Sequence, residues 1–351
     1  MKQQPKYQLL ASQISDEITR GIYKEGDRLP TENELTATHC LSRQTVRQAL
    51  SILERDGLIE RRQGSGSVVR HSHVQSTPSY NIAVITTYIS EYIFPDILRG
   101  IEEVLSAENY SPLVFATQNR IDNERKILLD VLSRPLDGLI VEGTKTALPN
   151  PNLDLYQRWY DMGRPIVFVH SFYPGLVSPI YVATDDRKGG YNATQFLMSK
   201  GHRQIAGIFK SDDIQGHRRC TGYYEALLQG GLSVSDDHVL WYTTEDKKNI
   251  ASLQLMEKLE GCSAVVCYND EIAVQVLDAL KAEGIAVPQQ MALISFDNSS
   301  YSNYASVKIT SCSQHKKQIG ETAAQKLLSL IAGIPQEPTV VPWKIIEKES
   351  T

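Results

Sequence analysis

From Asn81 onward the chain alternates short apolar runs with longer amphipathic stretches, and few folds accommodate that rhythm. The runs are "IAVITTY", "PLVFATQ", "DGLIVEG", "PIVFVHS", "IYVATDD", "QIAGIFK", "HVLWYTT", "SAVVCYND", "MALISFD" and "KITSCSQ". Stretches such as "ILRGIEEVLSAENY", "GGYNATQFLMSKGH" and "EIAVQVLDALKAEG" separate most of them. Apolar strands interleaved with helices call for parallel sheets covered on both faces. Ten strands between residues 81 and 351 predict two doubly wound lobes, with a ligand held between the carboxyl ends of their strands.

The first seventy residues obey a different pattern. Tyr7, Leu10, Ala11, Ile14 and Ile18 fall at helical spacing over residues 6–21, and Gly21 stops the run. In "LPTENEL", Thr31 and Glu34 fit a capping box, in which hydroxyl and carboxylate reciprocally satisfy free amides, so a short helix is expected over about 31–39. Ser42 caps the next helix, "SRQTVRQALSILERDG", whose inward stripe is Val46, Ala49, Leu50 and Leu53 and whose stop is Gly57. "LIERR" and "SVVR" form a hairpin around "QGSGS". Three helices followed by a hairpin make a winged helix-turn-helix. Polar, aperiodic "HSHVQSTPS", residues 71–79, is a linker.

Charge divides along the same boundary. Residues 1–70 hold eleven Lys and Arg against nine Asp and Glu, whereas the remainder holds 25 against 32. That asymmetry suits a chain with one end on a polyanion. If the apolar stripe of the third helix faces inward, Arg43, Gln44 and Arg47 project outward near its N-terminus, the end from which recognition helices address bases. Arginine matches the guanine edge and glutamine the adenine edge in the major groove. Ser42 and Thr45 reach phosphate, while Lys6 and Thr31 open helices whose amides grip phosphate. Gly64 and Gly66 let the wing tip approach the backbone or minor groove, with Gln63 poised on a base.

Residues 5–70, with "LPTENELTATHCLSRQTVRQALSILERDGLIERRQGSGSVV", resemble the winged-helix domain of the GntR superfamily of bacterial transcription regulators. The resemblance implies operator contacts from Arg43, Thr45, Arg47 and the wing around Gln63–Gly66. It also gives Glu32 a role in holding an arginine or shaping the contact, since its charge fits badly beside phosphate.

Residues 80–351 are similar to the effector domain of LacI/GalR-type repressors and to periplasmic sugar-binding proteins. The resembling stretches include "TDDRKGGYNATQFLMSKGHRQIAGI", "RRCTGYYEAL" and "CYNDEIAVQVLDALKAEGIAVPQQMALISFDN". The expected architecture is thus α/β: a small winged helix-turn-helix domain (1–70), a linker (71–79), and a two-lobed periplasmic-binding-protein-like domain (80–351) for effector binding and dimerisation. Arg219 and Asp297 match the sugar-contacting Arg and Asp of the LacI-like pattern, and Asn269 the Asn of its "ND" motif. Asp185, Arg219, Asn269 and Asp297 each fall just past a strand or at the next helix start, so they can converge on the cleft. Polar side chains of this kind suit vicinal sugar hydroxyls. Asp185 and Asn269 also qualify as helix N-caps. Glu142, His170 and His315 follow other strands, His170 equally as a buried histidine. Tyr92 or Phe172 stack on the apolar face of a sugar. A GntR headpiece on a LacI-like body resembles the arabinose-responsive repressors, which implies double-stranded operator DNA and a sugar effector, L-arabinose or a related pentose, as partners of a homodimer.

Other classes fit less well. The five cysteines are scattered, without C-x-x-C spacing. "GGYNATQ" lacks the Lys-Ser/Thr of a P-loop and the dinucleotide spacing. No Schiff-base lysine with a pyridoxal-phosphate cradle, zinc signature or nucleophile motif stands out, so the chain reads as a non-enzyme with no cofactor and no metal. No apolar run is long enough to span a bilayer, and the interrupted, acid-bearing N-terminus is unlike a secretory signal, which points to the cytoplasm rather than to a transport receptor.

Overall fold

The structure, a computed structural model, describes residues 5–19, 22–24, 26–55, 58–62, 66–69, 78–90 and 92–351. The chain divides into an N-terminal unit ending at Ser79 and a larger unit beginning at Tyr80. Gly21, Gly57, Gln63 and Gly64, and residues 71–77 of the linker, lie outside the described residues.

The N-terminal unit has helices α1 (Lys6–Thr19), α2 (Glu32–His39) and α3 (Arg43–Arg55), then strands β1 (Ile59–Arg62) and β2 (Gly66–Val69). The capping box forms as the spacing predicts: Thr31 Oγ1 accepts from the Glu34 amide at 3.3 Å, and Glu34 Oε2 accepts from the Thr31 amide at 2.7 Å. Ser42 Oγ accepts from the Thr45 amide at 3.2 Å and so caps α3. Val46, Ala49, Leu50 and Leu53 pack with Leu10, Ile14 and Leu35 into one core. β1 and β2 pair antiparallel, Arg62 opposite Gly66. Arg28 adds a bridge to Val68, a third arm of the wing that a single residue's pairing hides from periodicity.

The larger unit holds two sheets, and all ten strand runs appear in it. The first is ordered β13-β7-β6-β5-β3-β4, from β3 (Asn81–Thr86), β4 (Ser111–Ala116), β5 (Gly138–Glu142), β6 (Ile166–Val169), β7 (Ile180–Thr184) and β13 (Thr339–Val341). The second is ordered β14-β12-β11-β10-β8-β9, from β8 (Ile205–Lys210), β9 (Val239–Tyr242), β10 (Ala264–Cys267), β11 (Ala292–Phe296), β12 (Thr310–Ser313) and β14 (Lys344–Ile346). Helices cover both faces: α4 (Phe94–Ala107), α5 (Ile121–Leu132), α6 (Leu153–Asp161) and α12 (Lys316–Ile331) on the first, α7 (Asp186–Ser199), α8 (Ile214–Gln229), α9 (Leu255–Leu259), α10 (Asp270–Ala282) and α11 (Ser300–Tyr304) with the second. Strand side chains alternate between faces as the pleat requires. Ile82 and Val84 pack with Ile97 of α4 and Ile319 of α12, whereas Ala83 and Ile85 pack with Val131 of α5 and Trp159 of α6.

Two edge strands depart from the expected pattern. β13 and β14 are three residues each, too short to show a period, and β14 runs antiparallel to β12, so the second sheet is mixed. Both complete a sheet in a different lobe. The chain therefore passes between lobes three times, at 184–186, 313–316 and 341–344.

Helices α7 and α8 cross closely because Gly190 and Gly222 face each other's backbones. A Cβ on Gly190 would overlap the Arg219 carbonyl, and one on Gly222 the Arg187 carbonyl. The contact fixes Arg219 at the heart of the second lobe.

Candidate functional sites

On the N-terminal unit, Ser42, Arg43, Gln44 and Arg47 are exposed and Thr45 is half-buried, along the outer face of α3. Both arginines are already held. Arg47 Nε donates to Glu32 Oε2 at 2.8 Å, and Arg43 Nη2 donates to Asn33 Oδ1 at 2.8 Å. Arg61 Nη2 donates to the Arg47 carbonyl at 3.1 Å. Glu32 thus sits where the sequence expected it, beside an arginine. Lys6 is exposed at the start of α1, and Thr31 spends its hydroxyl on the capping box. Gly66 adopts φ +83 with open space around its Cα, a conformation that glycine reaches without strain.

In the larger unit, both lobes share the strand order of a doubly wound sheet, with its reversal beside the first strand, at β3/β5 and β8/β10. Side chains leaving the carboxyl ends of these strands meet in one cavity of about 810 Å³, open solvent at its mouth included. Tyr92, Glu142 and His170 line it from the first lobe, Arg219, Asn269 and Asp297 from the second.

Arg219 anchors the second lobe's wall. It is 1% exposed, and its Nε donates to Asp186 Oδ1 at 2.9 Å. Its guanidinium carbon stands 4.3 Å from the Phe296 ring centre, 4.8 Å from Tyr268 and 5.1 Å from Trp343. Burial disfavours the charge, but Asp186 and Asp297 outweigh it and hold the guanidinium above its ordinary value. Asp297 Oδ1 is 4.0 Å from Arg219 Nη2. Asp297 sits at φ +91 and Asn298 at φ +44, a strained turn for non-glycine residues. The buried Asp270 clamps that turn, accepting from the Ser299 amide at 2.6 Å and from the Ser311 hydroxyl at 2.7 Å. Burial, then the nearby Asp297, raises Asp270 to about 6 against the pull of its serine donors. Asn269 caps α10, its Oδ1 accepting from the Ile272 amide at 3.0 Å, while it also lines the cavity.

The first lobe's wall is a histidine–carboxylate pair. His170 Nδ1 lies 3.2 Å from Glu142 Oε1. Glu142 Oε2 accepts from the Thr87 amide at 2.8 Å, the Thr87 hydroxyl at 2.6 Å and the Thr86 hydroxyl at 3.2 Å. Burial raises the Glu142 carboxyl, but His170 and Thr87 outweigh it and leave it below its ordinary value.

Three expected residues lie outside this cavity. Asp185 is exposed and acts as the cap of α7, accepting from the Lys188 amide at 3.0 Å; its buried neighbour Asp186 holds Arg219 instead. Phe172 stacks on Tyr181 with ring centres 4.4 Å apart, outside the cavity. His315 precedes α12 at the lobe crossing and lines a separate groove with Trp343 and Lys344. Tyr92 does line the cavity, but its ring stacks on Tyr301 at 5.9 Å and its hydroxyl is committed to Asp297. Sequence reasoning missed Asp186, Lys210 and Asp213. The doubled aspartate of "TDD" and the lysine closing "IAGIFK" were the available signals.

Comparison with known proteins agrees with this layout. Residues 6–69 match the family model described as bacterial regulatory proteins, gntR family, and residues 194–351 that of a periplasmic binding protein-like domain. The chain is 38% identical to the arabinose metabolism transcriptional repressor of Halalkalibacterium halodurans, over 93% of this chain and 89% of that protein. It is also 38% identical to the repressor of the same name from Geobacillus stearothermophilus, over 93% and 91%. Among solved structures, transcription regulator CcpA of Lactococcus lactis aligns with a TM-score of 0.69 and 26% identity, covering 77% of this chain and 98% of that one.

Proposed function

Because the chain belongs to the family of arabinose metabolism transcriptional repressors, we propose that its winged helix holds operator DNA until L-arabinose occupies the cleft between the lobes. Residues 1–70 serve as the DNA-binding domain, 71–79 as linker, and 80–351 as the sugar-binding and dimerisation domain of a cytoplasmic homodimer. Among the described residues no helix is long and apolar enough to cross a membrane.

Arg43, Gln44 and Arg47 address base edges, and Ser42, Thr45, Lys6 and Thr31 approach phosphates. Gln63, Gly64 and Gly66 contact the backbone or minor groove. Glu32 orients Arg47 and is not itself a phosphate contact. In the cleft, Arg219, Asn269 and Asp297 bind hydroxyls from one lobe and His170 from the other, with Glu142 behind its ring. The observation that carries this reading is the buried Arg219 beside Asp297 at the strand ends, a charged pair 4.0 Å apart that lines the cavity.

Release is a shift between two shapes of the body. The sugar frees DNA only to the extent that it prefers the shape that misplaces the headpieces, and inverting a 99:1 equilibrium takes about 10⁴-fold preference. Fluorescence anisotropy of operator DNA titrated with the protein, with and without L-arabinose, tests it. Loss of affinity at saturating sugar is expected. Affinity unchanged by arabinose but lowered by another pentose transfers the role to that sugar; affinity unchanged by any pentose removes the effector reading.

A further inference from the structure

We propose that His170 recognises the effector as a hydrogen-bond donor through Nε2, with Glu142 as the positioning residue that holds its ring, so that effector binding takes up a proton. The proposal rests on the cleft being the effector site.

The ring has little freedom. His170 follows β6 at φ +65, its amide tied to the Val182 carbonyl at 2.9 Å, in a region that bulky residues rarely occupy. Three donors converge on Glu142 Oε2, which leaves Oε1 to face Nδ1. An ionised carboxylate only accepts, so while Glu142 is ionised Nδ1 carries the hydrogen in both the neutral and the charged ring. All variation is pushed onto Nε2. That atom is buried, belongs to a residue 2% exposed that lines the cavity, and finds no partner among the described residues.

The charges facing the ring come from both lobes. Glu142 lies beside it on β5, and Asp297 and Asp186 act from across the cavity. Two cations of the opposite wall are spoken for, Arg219 by Asp186 and Lys210 by Asp213. Burial opposes a charge on His170, but Glu142, then Asp297 and Asp186, outweigh it and set the imidazole above its ordinary value. A sugar hydroxyl that donates to Asp297 keeps its lone pairs for an Nε2–H. A charge-assisted bond to that hydroxyl favours the imidazolium, so the pKa of His170 rises on binding and a proton enters. Binding is therefore tightest at low pH and weakens as pH climbs past the value of His170 in the free protein.

Glu142→Gln separates this from a packing effect. The amide oxygen keeps the threonine donors while the amide NH₂ faces Nδ1, which must then accept. The hydrogen of the neutral ring moves to Nε2, and the donor is present at every pH.

Calorimetric titration of the full chain with L-arabinose, from about pH 6 to about pH 9 in buffers of differing ionisation enthalpy, reads the proton directly. Expected for the unaltered protein are uptake of up to about one proton and affinity falling by up to about tenfold per pH unit over part of that range. Glu142→Gln should bind with neither slope nor uptake, and His170→Leu should bind weakly and independently of pH. Arabinose binding with no proton uptake and a flat affinity overturns this proposal while leaving the effector assignment intact. A slope that survives in both variants also overturns it. No heat from arabinose at any pH removes both.

Discussion

Tyr92 and Asp297 come from opposite lobes and meet in one hydrogen bond, the phenol donating to Oδ2 at 2.6 Å. The same phenolic oxygen accepts from the Asp270 amide at 3.1 Å. One side chain of the first lobe thus touches both the cavity-lining carboxylate of the second and the start of α10. Burial and the two aspartates together keep the phenol protonated well above its ordinary range. On the far side of the cleft, Asn119 Nδ2 donates to Thr244 Oγ1 at 2.5 Å and Lys145 Nζ to Glu245 at 2.7 Å.

Tyr92→Phe removes the latch and keeps the ring. A net hydrogen bond contributes about 0.5–1.5 kcal/mol, so arabinose affinity should fall about two- to tenfold if the closed body is the sugar-bound one. Calorimetry on the full chain checks it. Unchanged affinity would mean that the two lobes close without this contact.

Asp297→Ala should leave an operator-binding protein that arabinose no longer releases. The variant removes the proposed acceptor for sugar hydroxyls and leaves the headpiece sequence untouched. Anisotropy with labelled operator, with and without sugar, distinguishes lost release from lost DNA binding.

Arg47→Ala should weaken specific operator binding by about 1–3 kcal/mol and relax preference at one base pair. Glu32→Ala should cost less, because it frees the Arg47 guanidinium without removing it. A competition assay against operator variants measures both. Normal specificity in Arg47→Ala would show that α3 faces the duplex differently.

Gly190→Ala drives a methyl group into the Arg219 carbonyl at the crossing of α7 and α8. Overpacking of this kind costs about 1–3 kcal/mol, and here the backbone that yields carries the cavity-lining arginine. Thermal unfolding followed by circular dichroism should shift downward, and arabinose affinity should fall with it. An unchanged melting temperature would mean that the helices separate at no cost.

Much of this architecture was legible from residue order alone. Continuous apolar runs such as "IAVIT" and "AVVC" mark strands covered on both faces, and the inward stripe of α3 falls at its helical spacing. The cleft was partly legible, because residues that end strands in a doubly wound sheet converge by topology; Arg219, Asn269 and Asp297 arrived that way. Asp185 and Asp186 show the limit. They are chain neighbours one hundred degrees apart around the start of a helix, and only the crossing of α7 with α8 decides which one meets Arg219. The pairing of Arg47 with Glu32 joins two helices and depends on the angle between them.

The three passages between lobes carry a consequence for synthesis. Each sheet receives its outermost strand from residues 339–346, and Ser350 stitches Leu293 and Thr310 together beyond that. A nascent chain still tethered to the ribosome at residue 330 owns a finished winged helix but two open-edged sheets. The headpiece can therefore fold early in translation, whereas both sheets wait for residues 339–346.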